Sequence, residues 1–275
     1  MAQNPLQQYF RQPKIFIGLP SKGIFNKVGS VQGDVTHMPV FGMTGMDEIL
    51  LKTPDALMTG ESTVKVIESC CPNIKDAWEL SAIDNEIVLA AIRIATYGNE
   101  ITVSHTCSSC GEEGQYKLDL SKLIEHYSNF KYDNSVTVGG LTIKLKPLCY
   151  RESTALSMKN YAIQKQITQL NNIEDDEQRQ HQLAVLYDNL SQLQNEIFIA
   201  SIDTVETPVQ AVTEREFIKE WVINCDKEIF DAMKGKFSKM REDLKAPPFI
   251  AECDACNAEN KIKFELDDSN FFAQA

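Results

Sequence analysis

Long apolar runs, histidines and positive charge are all scarce in this 275-residue chain. No apolar run approaches the roughly 20 residues that cross a bilayer, so no membrane span is expected. The opening Met1–Pro13 is polar and glutamine-rich. It lacks the apolar stretch of a secretory signal, so a cytosolic setting is expected. The four histidines, at 37, 105, 126 and 181, are scattered and supply few groups for acid–base chemistry. There is no phosphate-cradling glycine loop, no His-Glu-x-x-His and no nucleophile elbow. These absences point away from an enzyme.

Apolar residues make up 43% of the chain and charged residues 24%, a balance that favours a folded core over disorder. The net charge of −12 is unevenly spread. Residues 1–46 hold four basic side chains (Arg11, Lys14, Lys22, Lys27) against one acid, Asp34. Residues 47–150 hold 9 basic against 15 acidic side chains, and residues 151–275 hold 14 against 23. An acidic body repels a phosphate backbone, so nucleic acid is a disfavoured partner. The N-terminal segment is a mildly basic arm.

That arm is poor in helix signals. Lys14–Ile17 reads as a short strand and Leu19–Gly23 as a turn. With little apolar surface of its own, the arm must pack on the body or on a partner. Helices begin near Met46. Thr53 reads as an N-cap before Pro54, and a second helix runs from beyond Gly60 to Cys70, stopped by Pro72. Ser81–Ala95, capped by Ser81 or Asp84 and ended by Gly98, has so little polar surface that it reads as a central buried helix. The period then changes to two. Ile101, Val103 and His105 alternate with polar residues, as does Gln115–Leu120. Val136–Ile143 around Gly139-Gly140 reads as a hairpin. From Glu152 the pattern is helical: Leu156, Ile163, Ile167 and Leu170 share one face. After a turn at Asn171–Asp176, Leu183, Leu186, Leu190, Leu193 and Ile197 repeat at spacings of three and four. This is an αα-hairpin with a coiled-coil-like seam, packed on itself or gripping a partner helix. Thr213–Glu216 reads as a capping box and Asp226 as a cap. Ile229, Met233, Phe237 and Met240 form a core stripe.

Eight cysteines in a reducing setting argue against a disulfide framework. Cys107-Ser108-Ser109-Cys110 and Cys253-Asp254-Ala255-Cys256 have metal-ligand spacing, and their flanks match. Aligning Cys107 with Cys253 places Glu113 on Glu259, Lys117 on Lys263, Asp119 on Glu265 and Leu120 on Leu266. Each pair reads as a zinc knuckle, a tight turn aiming two thiolates at one point. Two facing knuckles give a closed tetrahedral site, so Cys107, Cys110, Cys253 and Cys256 are expected to share one structural Zn2+ per chain. The pairs lie 142 residues apart. Closing that loop costs ~2 kcal/mol more than closing a compact ribbon, whereas a structural zinc contributes on the order of 10 kcal/mol. A thiol–disulfide oxidoreductase would need a thiolate at a helix N-terminus, which these flanks do not supply. His105 is a rival ligand, less favoured than a strand residue pointing aside. Cys70-Cys71 reads as small apolar packing at a helix end.

The expected fold is α+β: a small, β-rich, zinc-ribbon-like module with buried helices and a helical αα-hairpin insertion. The expected parts are an extended arm over 1–46, an α/β part with the first knuckle over 47–150, a helical insertion over 151–245, and a second knuckle over 246–275 packing on 47–150.

Several short segments then fall in a recognisable order: Leu19-Pro20-Ser21-Lys22-Gly23, Met46-Asp47-Glu48, Thr53-Pro54-Asp55-Ala56-Leu57 with Gly60, Ser69-Cys70-Cys71-Pro72, Ala91–Gly98, and the Cys107/Cys110 turn. Over about residues 13–152 the chain resembles the baseplate hub and hub-assembly proteins of T-even-type contractile-tail bacteriophages. The resemblance implies a non-enzymatic structural or assembly protein of the tail baseplate hub. It would act in the host cytoplasm during assembly and reside in the virion tail baseplate. The partners implied are other hub or tail proteins, with the tape measure protein among the candidates and a homo-oligomer left open. A zinc-ribbon nucleic-acid binder is the alternative, which a basic patch on the ribbon would favour.

Overall fold

The buried helix expected after Ser81 organises the first of two units, Met1–Lys131 with Ala246–Ala275; Tyr132–Lys245 forms the second. The computed structural model describes residues 4–52, 59–129, 131–170 and 176–263. Helices combine with small antiparallel sheets, the α+β class read from the sequence.

In the first unit a single 3-10 turn, Pro5–Tyr9, precedes β1 (Pro13–Ile17), which pairs antiparallel with β2 (Met38–Phe41). The turn read at Leu19–Gly23 is present: Lys22 N–H donates to Leu19 O at 2.9 Å, and Lys22 and Gly23 both have positive φ. Helix α1 (Gly45–Leu51) opens with a reciprocal capping box between Thr44 and Asp47. Helix α2 (Glu61–Cys70) follows Gly60. The cap read at Thr53-Pro54 lies outside the described residues.

Helix α3 (Ala82–Tyr97) follows with twelve buried residues, among them Ile87, Val88, Ala91 and Ile92. Of the two candidate caps, Ser81 caps it, accepting from Asp84 N–H at 3.3 Å. Asp84 instead turns its carboxylate to the arm. It accepts from Ser21 N–H at 3.0 Å, from the Ser21 hydroxyl, and from Asn26 Nδ2 at 2.9 Å. Burial pushes the Asp84 carboxyl up, and these hydrogen bonds oppose the shift. The strands β1 and β2 lie against α3, so the arm over residues 13–44 packs on the body. Ile17, Leu19, Met38 and Val40 are buried. Gly42 permits the approach: a Cβ there would sit 2.8 Å from Ala95 O. Arg11 ties down the start of the arm, donating to Gly42 O (2.6 Å), Ser69 O (2.6 Å), Ser69 Oγ (2.8 Å) and Asp47 Oδ2 (3.3 Å).

Two hairpins complete this unit. β3 (Glu100–Thr106) pairs with β4 (Glu113–Asp119) across the first cysteine turn, and α4 (Ser121–Ser128), absent from the sequence reading, packs on α3.

The second unit interrupts the first in sequence. Its sheet has the order β5 (Ser135–Val138), β6 (Leu141–Leu145), β7 (Ile202–Glu206), β8 (Ala211–Val212). The Gly139-Gly140 hairpin is as read, with both glycines at positive φ. Strands β7 and β8 were hidden by their brevity within a helical stretch. Helices α5 (Tyr150–Leu170) and α6 (Asp176–Ala200) pack as antiparallel neighbours. Leu156, Leu170, Leu186 and Leu193 of the expected seam are buried, and Lys159 pairs with Glu196 at 2.7 Å. Residues 171–175 of the expected turn lie outside the described residues.

Helix α7 (Arg215–Asn224) corrects the capping-box reading: its cap residue is Glu214, whose side chain makes no capping bond and instead accepts from Thr213 N–H at 3.2 Å. Asp226 does stand at the cap of α8 (Lys227–Asp243), also without a side-chain capping bond. The stripe on α8 is core. Met233 and Met240 pack with Ile143, Leu145, Ile202 and Ile218, and Phe198 meets Phe230 and Phe237 edge to face.

The chain then returns to the first unit, where β9 (Phe249–Glu252) pairs with β10 (Glu259–Ile262) across the second cysteine turn. Residues Glu265 and Leu266 of the matched flank lie outside the described residues. No described helix is long and apolar enough to cross a membrane.

Candidate metal centre

The two cysteine turns are the same piece of backbone built twice. In the first, Cys107 N–H donates to Glu112 O (2.8 Å) and Gly111 N–H to Cys107 O (3.0 Å). In the second, Cys253 N–H donates to Ala258 O (2.9 Å) and Asn257 N–H to Cys253 O (2.8 Å). Each is flanked by strands in the same register, Thr106 opposite Glu113 and Glu252 opposite Glu259. Each also needs one left-handed residue, Gly111 (φ 76°) and Asn257 (φ 56°). Glycine and asparagine are the residues that adopt this conformation at least cost.

The turns bring all four sulfurs within 4.8 Å of one another. Cys107 Sγ lies 3.7 Å from Cys256 Sγ, and Cys110 Sγ lies 3.7 Å from Cys253 Sγ. These distances are far beyond the ~2.05 Å of a disulfide. They match the edge of a tetrahedron of sulfurs around a zinc ion, about 3.8 Å for Zn–S bonds of about 2.3 Å. The donor set therefore fits a tetrathiolate site, and the four cysteines could hold one metal ion. Cys107 and Cys253, the first of each pair, are buried; Cys110 and Cys256 are exposed.

The electrostatics point the same way. The N–H groups of Cys110 and Ser109 aim at Cys107 Sγ and lower its pKa to about 6. Those of Ala255 and Cys256 lower that of Cys253. At Cys110 the Glu112 N–H favours the thiolate, but hydrogen bonds to neighbouring sulfurs outweigh it and raise the pKa to about 12. Four thiols this close cannot all ionise beside one another unless a cation compensates them.

Two further residues complete the site, and sequence reasoning did not single them out. Tyr116 on β4 is buried, and its hydroxyl accepts from Asn260 Nδ2 at 3.5 Å. Burial, followed by the nearby sulfurs, pushes its pKa up to about 12, so it stays neutral. Asn260 on β10 is 1% exposed and reaches across to the first turn. It stands where the alignment of the pairs puts Gly114, so the departure from the repeat was the signal available. His105 lies edge-on to Tyr116 at 5.9 Å and is not among the clustered ligands. Cys70 and Cys71 are buried at the end of α2, where burial raises both thiols, Cys70 to about 11. Glu112, Glu113, Asp254 and Glu259 are exposed around the turns, giving the knuckle surface an acidic rim that opposes contact with a phosphate backbone.

The family model described as T4 bacteriophage base plate protein matches residues 43–273. The match spans both units and all four clustered cysteines and leaves out residues 1–42. No curated protein and no solved structure matches the chain significantly.

Proposed function

Since this chain belongs to the family of T4 bacteriophage base plate proteins, we propose that it builds the hub of the contractile-tail baseplate around a zinc-stapled scaffold. A structural baseplate protein interacts with other tail or baseplate proteins and has the virion tail baseplate as its place. The finer reading is a hub component or hub-assembly factor, non-enzymatic, joined to other hub proteins and to the tape measure protein in the host cytoplasm.

The match over residues 43–273 carries this reading. The four-sulfur cluster supports the staple: Cys107, Cys110, Cys253 and Cys256 would hold one structural Zn2+ per chain. When bound, the ion would supply cross-linking and charge compensation rather than chemistry, because four protein sulfurs leave no open position for water or substrate. The residues of this chain do the rest. Two turns aim the sulfurs; the backbone N–H groups of each turn favour the charged form of its first cysteine, and Asn260 donates to Cys107 Sγ. The staple closes the first unit across the long insertion of the second.

Partner contact would run through the arm. Leu6, Tyr9 and Phe10 are all more than half exposed, on a stretch without charged residues between Asn4 and Phe10. Tagged protein purified from infected cells tests the proposal by the identity of what accompanies it. Hub and tail proteins are expected; recovery of the chain with none of them would defeat the hub reading.

A further inference from the structure

We infer that Asn260 is a positioning residue of the metal centre, docking the second knuckle onto the first and holding the Cys107 sulfur as a ligand. The inference rests on the zinc reading above. Its carbonyl oxygen accepts from Ser108 N–H at 3.1 Å and from Ser108 Oγ at 3.3 Å. Its amide nitrogen donates to Cys107 Sγ at 3.5 Å, and lies 3.3 Å from Ala258 O and 3.5 Å from the Tyr116 hydroxyl.

The orientation of this amide is determined by its neighbours. Ser108 N–H is a backbone donor and needs an acceptor, so the oxygen must face it and the nitrogen must face the sulfur. A carboxylate at this position would keep the contact to Ser108 but lose both donors and add a negative charge beside the thiolates. A small residue would leave the buried Cys107 sulfur without its side-chain donor and Ser108 N–H without its protein acceptor. Asparagine is the side chain of this size that accepts on one side and donates on the other.

The internal repeat explains why one asparagine suffices. The position equivalent to Asn260 in the first knuckle is Gly114, where an added Cβ would lie 3.1 Å from the Tyr116 ring. The two hairpins therefore interlock unequally. Gly114 leaves room for the Tyr116 ring, while Asn260 fills the equivalent position of the second knuckle and donates to Cys107. The Cys107 sulfur thus receives a backbone donor from its own turn, Ser109 N–H at 3.4 Å, and a side-chain donor from the other knuckle. Donors of this kind around metal ligands typically change metal affinity by about 10–100-fold.

The test compares full-length wild type with Asn260→Asp and Asn260→Leu, with Ile262→Ala as a control that disturbs packing on the same strand. Zinc content is measured first, then the rate of zinc transfer to a chromophoric chelator, then the thiolate charge-transfer band after substitution with cobalt(II). Wild type is expected to hold one zinc. The two Asn260 variants are expected to release it at least about tenfold faster and to shift the cobalt band, whereas Ile262→Ala leaves the band in place. Wild type without zinc would overturn the staple and this inference together. Zinc-bound wild type with Asn260 variants matching it in release rate and band position would overturn the positioning role alone. A variant too unstable to purify is replaced by Asn260→Gln, which retains the donor and acceptor and is expected to restore the band.

Discussion

Gly111 and Asn257 hold the same left-handed backbone position at the ends of two turns that lie far apart in sequence, with φ of 76° and 56°. A left-handed position accepts glycine and rejects a β-branched residue. Asn257→Gly keeps the backbone accessible and is expected to change stability by less than about 1 kcal/mol. Gly111→Val forces a β-branched residue into a conformation that costs on the order of 1–2 kcal/mol or more. Urea unfolding midpoints of the two variants check this; equal losses would mean that the left-handed backbone does not govern what these positions accept.

Metal removal should separate the two units. One zinc per chain is expected by elemental analysis, and Cys253→Ser should bind it poorly and lower the melting temperature of the first unit. The second unit has its own core around Ile143, Ile202 and Met233, so its transition is expected to survive treatment with a strong chelator. Calorimetry with and without chelator reads both. A wild-type protein with no zinc, or with two, would defeat the shared site.

How much of this could be read from the sequence depended on the length and repetition of the signal. Ala82–Tyr97 was readable because a helix with so little polar surface is expected to be buried. The clustering of the four sulfurs was readable because the same flanks occur around both cysteine pairs. Strands β7 and β8 are five and two residues long, too short to show a period; β7 acquires its structure by pairing with β6, and β8 by pairing with β7. Asn260 and Tyr116 carry no local pattern; their roles arise only when two hairpins from opposite ends of the chain meet. The cap at α7 misled because Thr213–Glu216 satisfies the capping pattern, while the backbone starts the helix one residue later.

The arm divides at Arg11. Residues Pro5–Tyr9 contribute no buried side chain, so deleting residues 1–10 is expected to leave the melting temperature within about 2 °C, a shift smaller than that of a 1 kcal/mol change. Arg11→Ala is a different matter, because it removes the cation beside the buried Asp47 carboxylate and the donors to Ser69 and Gly42. A loss of about 1–3 kcal/mol is expected. Replacing Leu6, Tyr9 and Phe10 together by serine should leave the fold intact and weaken recovery of baseplate partners. Unchanged partner recovery would make the arm a packed edge of the body and nothing more.

The decisive prediction concerns the phage. A baseplate hub protein is needed after DNA replication and apart from head formation, because its task is to hold other tail proteins in fixed relation. A phage lacking this gene is therefore expected to replicate DNA and fill heads while producing no complete tails, as seen by electron microscopy of lysates. Wild-type protein supplied in trans should restore tails. The Cys107/Cys110 double variant should fail, because it removes half of the sulfur cluster and leaves Cys253 and Cys256 unable to close a tetrahedral site. Asn260→Leu should give an intermediate yield, since it keeps all four sulfurs but weakens their arrangement. Normal tails in the absence of the gene would defeat the hub proposal. Normal tails with the double cysteine variant would leave the hub role standing and remove the staple from it. Mass spectrometry of finished particles then decides between the two forms of the role: a permanent component is present in a fixed copy number, and an assembly factor is absent.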